Sequence, residues 1–222
     1  MNWNVPNILT VIRLLAAPAL AVMFLYFSRP LADWFALILF VLAALTDFVD
    51  GYLARAWMQE SKFGAMLDPI ADKAMVLIAL LVIIGFSGVK PWILLPATMI
   101  IFREVFVSGL REFLGDKASK LKVTYLAKWK TTVQMIAIAV LFSQGIFEHY
   151  LVMQSFGMDE QMLVDILGGT EEDTLGLGWK YTGLSWSYYG GIALLWIAAT
   201  LTLITGWDYF VKALPFLKDD TK

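Results

Sequence analysis

Cysteine is absent from all 222 residues. That excludes disulfides, thiolate nucleophiles and thiolate-held metals, without identifying a compartment. Histidine is reduced to His149, which lies beside a polar stretch. A histidine-based metal centre normally needs more than one, so a solvated or interfacial role is expected. Charge is scarce as well, at 16% of residues, against about 25% in an ordinary soluble domain. The formal net charge is −2, which offers no basic field for nucleic acid. There is no internal repeat, so the inverted-repeat pattern of many transporters is missing.

In place of charge there is apolar sequence. Hydrophobic residues make up 59% of the chain and the mean hydropathy is +0.70. Apolar segments of spanning length fall at about 8–28, 32–57, 64–87, 91–113, 124–147 and 186–213. A helix needs about 20 residues to cross the hydrocarbon core. The expectation is an all-α polytopic membrane protein, a single domain over 1–222, with six transmembrane helices in a bundle. The first segment has no basic lead-in, carries Arg13 within it and is longer than a usual signal-peptide core, so it reads as a retained span.

Basic residues set the orientation. With both termini cytoplasmic, the outer side holds Arg29, Lys90 and Lys180, three of the seventeen Lys and Arg. The reverse orientation would put the excess outside. Trp34, Trp57, Trp92, Trp179 and Trp186 fall near helix ends, as aromatic belts do. Residues 148–184 become an acidic, partly helical extracytoplasmic loop. Glu171, Glu172 and Asp173 are consecutive and lack the spacing of a calcium loop, which favours a solvated role for them.

Against this apolar background stands "TDFVDGYLARAWMQESKFGAMLDPIADK", residues 46–73. At 100° per residue, Asp47, Asp50, Gly51, Ala54 and Arg55 share one side of the second span, within about 140°. Ser61, Gly64, Asp68 and Asp72 share a face of the third. A short turn between the two helices would aim four carboxylates at one polar cavity opening to the cytoplasm. Four acids cannot crowd together in low dielectric unless cations or protons neutralise them. An all-oxygen donor set suits Mg²⁺ or Mn²⁺, and two divalent ions would match four carboxylates in charge. Paired ions of that kind favour phosphoryl chemistry. Gly51 and Gly64 remove side chains where a bulky ligand could approach backbone, and Arg55 offers a planar fork for a diphosphate. One Asp–Arg pair could simply hold helices together; four acids facing one arginine point to function.

The pattern Asp47-x-x-Asp50-Gly51-x-x-Ala54-Arg55, eight residues, Gly64-x-x-x-Asp68-x-x-x-Asp72 resembles the full signature of the CDP-alcohol phosphotransferase family. The resemblance implies a six-helix, usually dimeric membrane enzyme that passes a substituted phosphoryl group from a CDP-linked donor to an alcohol and releases CMP. Two metals, Mg²⁺ or Mn²⁺, would sit on Asp47, Asp50, Asp68 and Asp72, with Asp72 as general base. Gly51, Ala54, Arg55, Ser61 and Gly64 would line the CDP pocket. Asn7 and Thr10 could reach the nucleotide or diphosphate, or could equally cap the first helix.

The stretches "PNILTVIRLLAAP" (6–18), "LDPIADKAMVLIAL" (67–80), "REVFVSGLRE" (103–112) and "LAKWKTTVQM" (126–135) resemble bacterial members of the family that take CDP-diacylglycerol as donor and sn-glycerol 3-phosphate as acceptor. That implies a place in the cytoplasmic (inner) membrane, with the site at its cytoplasmic interface. A dianionic acceptor needs cations. Arg103 and Arg111 lie about 80° apart on the fourth span, and arginine forks suit phosphate. Lys128 and Lys130 lie about 200° apart, so one of them is expected to face the pocket, and Lys128, with Thr131 and Thr132, is favoured. Lys117, Lys120 and Lys122 read as headgroup contacts. The rival expectations are another acceptor, such as inositol phosphate or phosphatidylglycerol, and a divalent-cation transporter. The transporter would spread its acids through the membrane depth, whereas these cluster at one end.

Overall fold

The computed structural model describes residues 4–56, 61–115, 117 and 125–217, with the side chains of 48–56 left out. The described elements are helices: α1 (Val5–Tyr26), α2 (Leu31–Ala56), α3 (Lys62–Phe86), α4 (Pro91–Leu114), α5 (Tyr125–Gln154), α6 (Glu160–Gly168), α7 (Leu177–Ser185) and α8 (Gly191–Leu217). A single π-turn, Trp186–Gly190, joins α7 to α8. Among the described residues, five segments are long and apolar enough to cross a membrane: α1, α3, α4, α5 and the continuous stretch Leu177–Leu217. The second expected span coincides with α2, 26 residues long, whose last residues, 48–56, carry no described side chains. Prolines inside α1, α3, α4 and α8 are tolerated in membrane helices, where neighbouring groups satisfy the freed backbone.

The chain divides into two compact units. The first comprises residues 1–83 and 138–191. In it α1 packs on α2, and small residues let the backbones approach. Ala16, Ala17 and Leu20 of α1 are buried, as are Ala32, Ala36, Phe40 and Ala43 of α2. Phe142 of α5 stacks on Phe24 and meets Phe40 edge-on, at centroid distances of 6.1 and 5.9 Å. Nearby, Asp33 is buried and takes a hydrogen bond from Arg29 at 2.7 Å; Gly145 of α5 leaves the room that this pair fills.

The expected loop 148–184 is largely helical. The end of α5 reaches Gln154, and α6 and α7 follow. Asp159 caps α6 by accepting from the Met162 N–H at 2.7 Å, and Gly169 closes it in the left-handed region, where glycine is favoured. Asp173 accepts from the N–H groups of Leu177 and Gly178, at 2.7 and 2.8 Å. The Gly178 and Leu177 bonds hold its carboxyl below the ordinary value of 3.8. Its part is thus to anchor the start of α7.

The second unit comprises residues 84–137 and 192–222. Here α4 runs against α8. Val107 and Leu114 form a buried cluster with Tyr209 and Ala213, and Trp196 Nε1 donates to the Trp92 carbonyl at 3.0 Å. Trp34, Trp92, Trp179 and Trp186 are all exposed, as the aromatic-belt reading expects; Trp57 lies outside the described residues.

Candidate active site

The polar site of the first unit is built from three helices. On α1, Asn7, Thr10 and Arg13 recur every three residues, form one stripe and are all buried. The N-cap of α1 is Asn4, whose side chain accepts from the Asn7 N–H. Capping is therefore not the task of Asn7 or Thr10, because Asn4 already supplies the acceptor. Asn7 Oδ1 instead accepts from the Ser61 hydroxyl at 2.7 Å. Ser61 Oγ in turn accepts from the Gly64 N–H at 3.0 Å, capping the first turn of α3.

Gly64 is buried, and a Cβ placed on it would come within 2.7 Å of Asn7 Oδ1. The glycine there makes room for a protein side chain. Sequence reasoning expected a ligand near this glycine; its neighbour Asn7 could not be read from spacing along one helix.

One step further along the stripe, the Thr10 hydroxyl donates to Asp68 Oδ1 at 2.6 Å. Arg13 then gathers the acids. Its Nη1 contacts Asp47 Oδ1 of α2 and lies 2.8 Å from Asp72 Oδ1 of α3. Its Nη2 is 3.6 Å from Asp68 Oδ1. The guanidinium is nearly inaccessible, with a side-chain exposure of 2%, whereas Asp47, Asp68 and Asp72 expose 46%, 47% and 49%. The acids are thus held from behind by a buried cation and remain open on the other side.

The expected convergence of α2 and α3 carboxylates is present for Asp47, Asp68 and Asp72. The side chains of Asp50, Gly51, Ala54 and Arg55 lie outside the described residues. Sequence reasoning missed Arg13. A lone arginine in a first span looks like a snorkelling residue; the signal that could have found it is its register with Asn7 and Thr10. Among the described residues no three acids form a finished metal cage, since the convergence is on Arg13. The donor set nonetheless fits hard divalent ions: three accessible carboxylates, all oxygen, gathered on the Arg13 guanidinium.

The predicted acceptor residues belong to the second unit. Glu104 of α4 contacts Lys130 of α5 and takes a second contact from Arg103 Nη1 at 3.2 Å. All three side chains are largely buried, Glu104 to 12% exposure. Gly206 of α8 clears space for Arg103, since a Cβ there would fall 2.8 Å from Arg103 Cγ. Arg103 Nε is buried with no hydrogen-bond partner among the described residues. Arg111 is exposed and sits over the Tyr209 ring, 5.5 Å from its centroid.

The wide angular separation of the two lysines places them on different sides of α5, as expected, but the one turned inward is Lys130. Lys128, the one favoured for the acceptor, is exposed. Lys130 is turned inward by Glu104, the counter-charge on the neighbouring helix that sequence spacing did not reveal. Lys117 is exposed, and Lys120 and Lys122 lie outside the described residues.

This chain belongs to the CDP-alcohol phosphatidyltransferase family, whose model matches residues 3–163. That range includes the whole signature, the Asn7–Thr10–Arg13 stripe and the Glu104–Lys130 pair. It is 64% identical over 220 residues to a CDP-diacylglycerol–glycerol-3-phosphate 3-phosphatidyltransferase of Cereibacter sphaeroides, covering 99% of this chain and 100% of that protein. Proteins of the same description from Rickettsia bellii and Salmonella choleraesuis are 37% and 34% identical, over 95% and 96% of both partners.

Proposed function

We propose that this protein transfers the phosphatidyl group of CDP-diacylglycerol to sn-glycerol 3-phosphate, forming phosphatidylglycerophosphate and CMP in phospholipid biosynthesis. The observation that carries the reading is the gathering of Asp47, Asp68 and Asp72 from α2 and α3 around one buried guanidinium, at signature positions of the family that the chain belongs to. The relatives' shared description supplies the donor and the acceptor.

Asp47, Asp50, Asp68 and Asp72 would hold two divalent ions, Mg²⁺ or Mn²⁺. Bound there, such ions supply neutralisation of the donor diphosphate and of the charge that develops at the transferred phosphorus. Asp72 accepts the proton of the glycerol 3-phosphate hydroxyl. The hydroxyl oxygen attacks the phosphorus that bears diacylglycerol, and the bond from that phosphorus to the CMP oxygen breaks. No enzyme nucleophile is needed, so the lack of cysteine is no obstacle. Gly51, Ala54, Arg55, Ser61 and Gly64 shape the CDP pocket, with Asn7 and Thr10 behind it. Arg103 and Arg111 provide cations for the acceptor phosphate, with one of Lys128 and Lys130.

The setting proposed is a bacterial cytoplasmic membrane, six spans including α2, both termini inside, the site at the cytoplasmic interface, and a homodimer. Supplying acceptors singly to purified protein with CDP-diacylglycerol and Mn²⁺ tests the reading by analysis of the lipid product. Phosphatidylglycerophosphate formed only with glycerol 3-phosphate is expected. Arg103→Lys should then raise KM for that acceptor about tenfold by loss of one charge-assisted hydrogen bond. Product with inositol phosphate or phosphatidylglycerol instead would overturn the choice of acceptor.

A further inference from the structure

The family signature lies on α2 and α3, yet the residues that grip its carboxylates come from α1. Thr10 and Arg13 stand one helical turn apart on the buried stripe, and neither belongs to the signature. Among the described contacts, Thr10 meets Asp68 at Oδ1, and Arg13 meets Asp47, Asp68 and Asp72 at Oδ1. The stripe lies on the closed side, and the carboxylates show about half of their surface on the other. One oxygen of each acid is thus engaged from behind by a rigid, buried donor. The start of α1 is itself fixed to the start of α3 through Asn7, Ser61 and Gly64.

We propose that Thr10 and Arg13 are positioning residues, a clamp on α1 that holds one oxygen of Asp47, Asp68 and Asp72 so that the second oxygen of each is presented, pre-aligned, to incoming divalent ions. The guanidinium draws acids of two helices together against their mutual repulsion, a task the planar fork performs and a point charge does not. The hydroxyl fixes the rotation of Asp68. Outer partners of this kind typically change metal affinity by about 10–100-fold when removed. The inference rests on the reading that these carboxylates hold divalent ions, and its test separates the two.

The test is a titration of purified, detergent-solubilised protein with Mn²⁺ alone, free Mn²⁺ being read by electron paramagnetic resonance, with no lipid or acceptor present. Wild type should take up Mn²⁺. Arg13→Gln should weaken that uptake by about 10–100-fold and Thr10→Val by about tenfold, while Arg13→Lys recovers only part of the loss. Circular dichroism checks that helicity is kept. Should Arg13→Gln fail to fold, Thr10→Val and Arg13→Lys decide the matter. Mn²⁺ binding as tight as wild type, or tighter, in the folded variants would overturn the clamp and make Arg13 a counter-ion that competes with the metal. Failure of wild type to bind Mn²⁺ would overturn the metal reading and the clamp with it.

Discussion

The two units use charge in opposite ways. Among the described residues, the first sets three carboxylates around one buried guanidinium, and the second sets two cationic side chains, Lys130 and Arg103, against one carboxylate, Glu104. Carboxylates suit cations, and cationic side chains suit a phosphate. Buried ion pairs contribute little net stability, because desolvation offsets attraction. Their value here is placement. A glycine assists in both cases: Gly64 makes room for Asn7, and Gly206 for Arg103.

The comparison can be broken from either side. The largest effect is expected from Asp72→Asn. Loss of the proton acceptor should lower kcat by about 10²–10⁴-fold, read as CMP formed per minute, with helicity unchanged.

Glu104→Gln should act on stability as well as on the acceptor. Removing the carboxylate against which Lys130 and Arg103 are held should cost about 3–5 kcal/mol. The thermal midpoint would then fall on the order of 10 °C for a chain of this length. An unchanged midpoint would show that the second unit does not depend on this charge arrangement.

Gly64→Ala and Gly206→Ala sharpen the comparison with smaller changes. Each added methyl meets a polar side chain closer than real contacts permit, and overpacking of that kind costs about 1–3 kcal/mol. Gly64→Ala should weaken Mn²⁺ binding by displacing Asn7 and the start of α1. Gly206→Ala should leave Mn²⁺ binding intact and raise KM for glycerol 3-phosphate.

The smallest effect belongs to Asp173, outside both sites. Its folded carboxyl titrates below the ordinary 3.8. It therefore contributes stability above that value, and the contribution is lost as the pH falls through the lowered one. The difference in thermal midpoint between wild type and Asp173→Asn should be small at pH 7 and should shrink on acidification into that range.

Much of the frame was legible because lipid imposes simple rules. Six apolar segments were readable from length alone, and five candidate spans are present among the described residues. The meeting of Asp47 with Asp68 and Asp72 followed from helical periodicity plus a short turn. Arg13 was not legible, because its meaning lies in a contact between α1 and two later helices. The same limit hid the inward turn of Lys130, whose partner Glu104 stands 26 positions earlier. Residues 148–184 carried readable caps at Asp159 and Gly169, but mixed polarity hid how much of the stretch is helical.

The central claim is that the carboxylates gathered on Arg13 carry out phosphatidyl transfer to glycerol 3-phosphate. The most direct measurement is CMP release by purified protein with CDP-diacylglycerol, glycerol 3-phosphate and Mn²⁺, compared with the same mixture after chelation and with Asp72→Asn. The account predicts release that needs the acceptor, stops on chelation and is nearly abolished in the variant. Release that persists in Asp72→Asn, or no release from folded wild type with any acceptor, would contradict it.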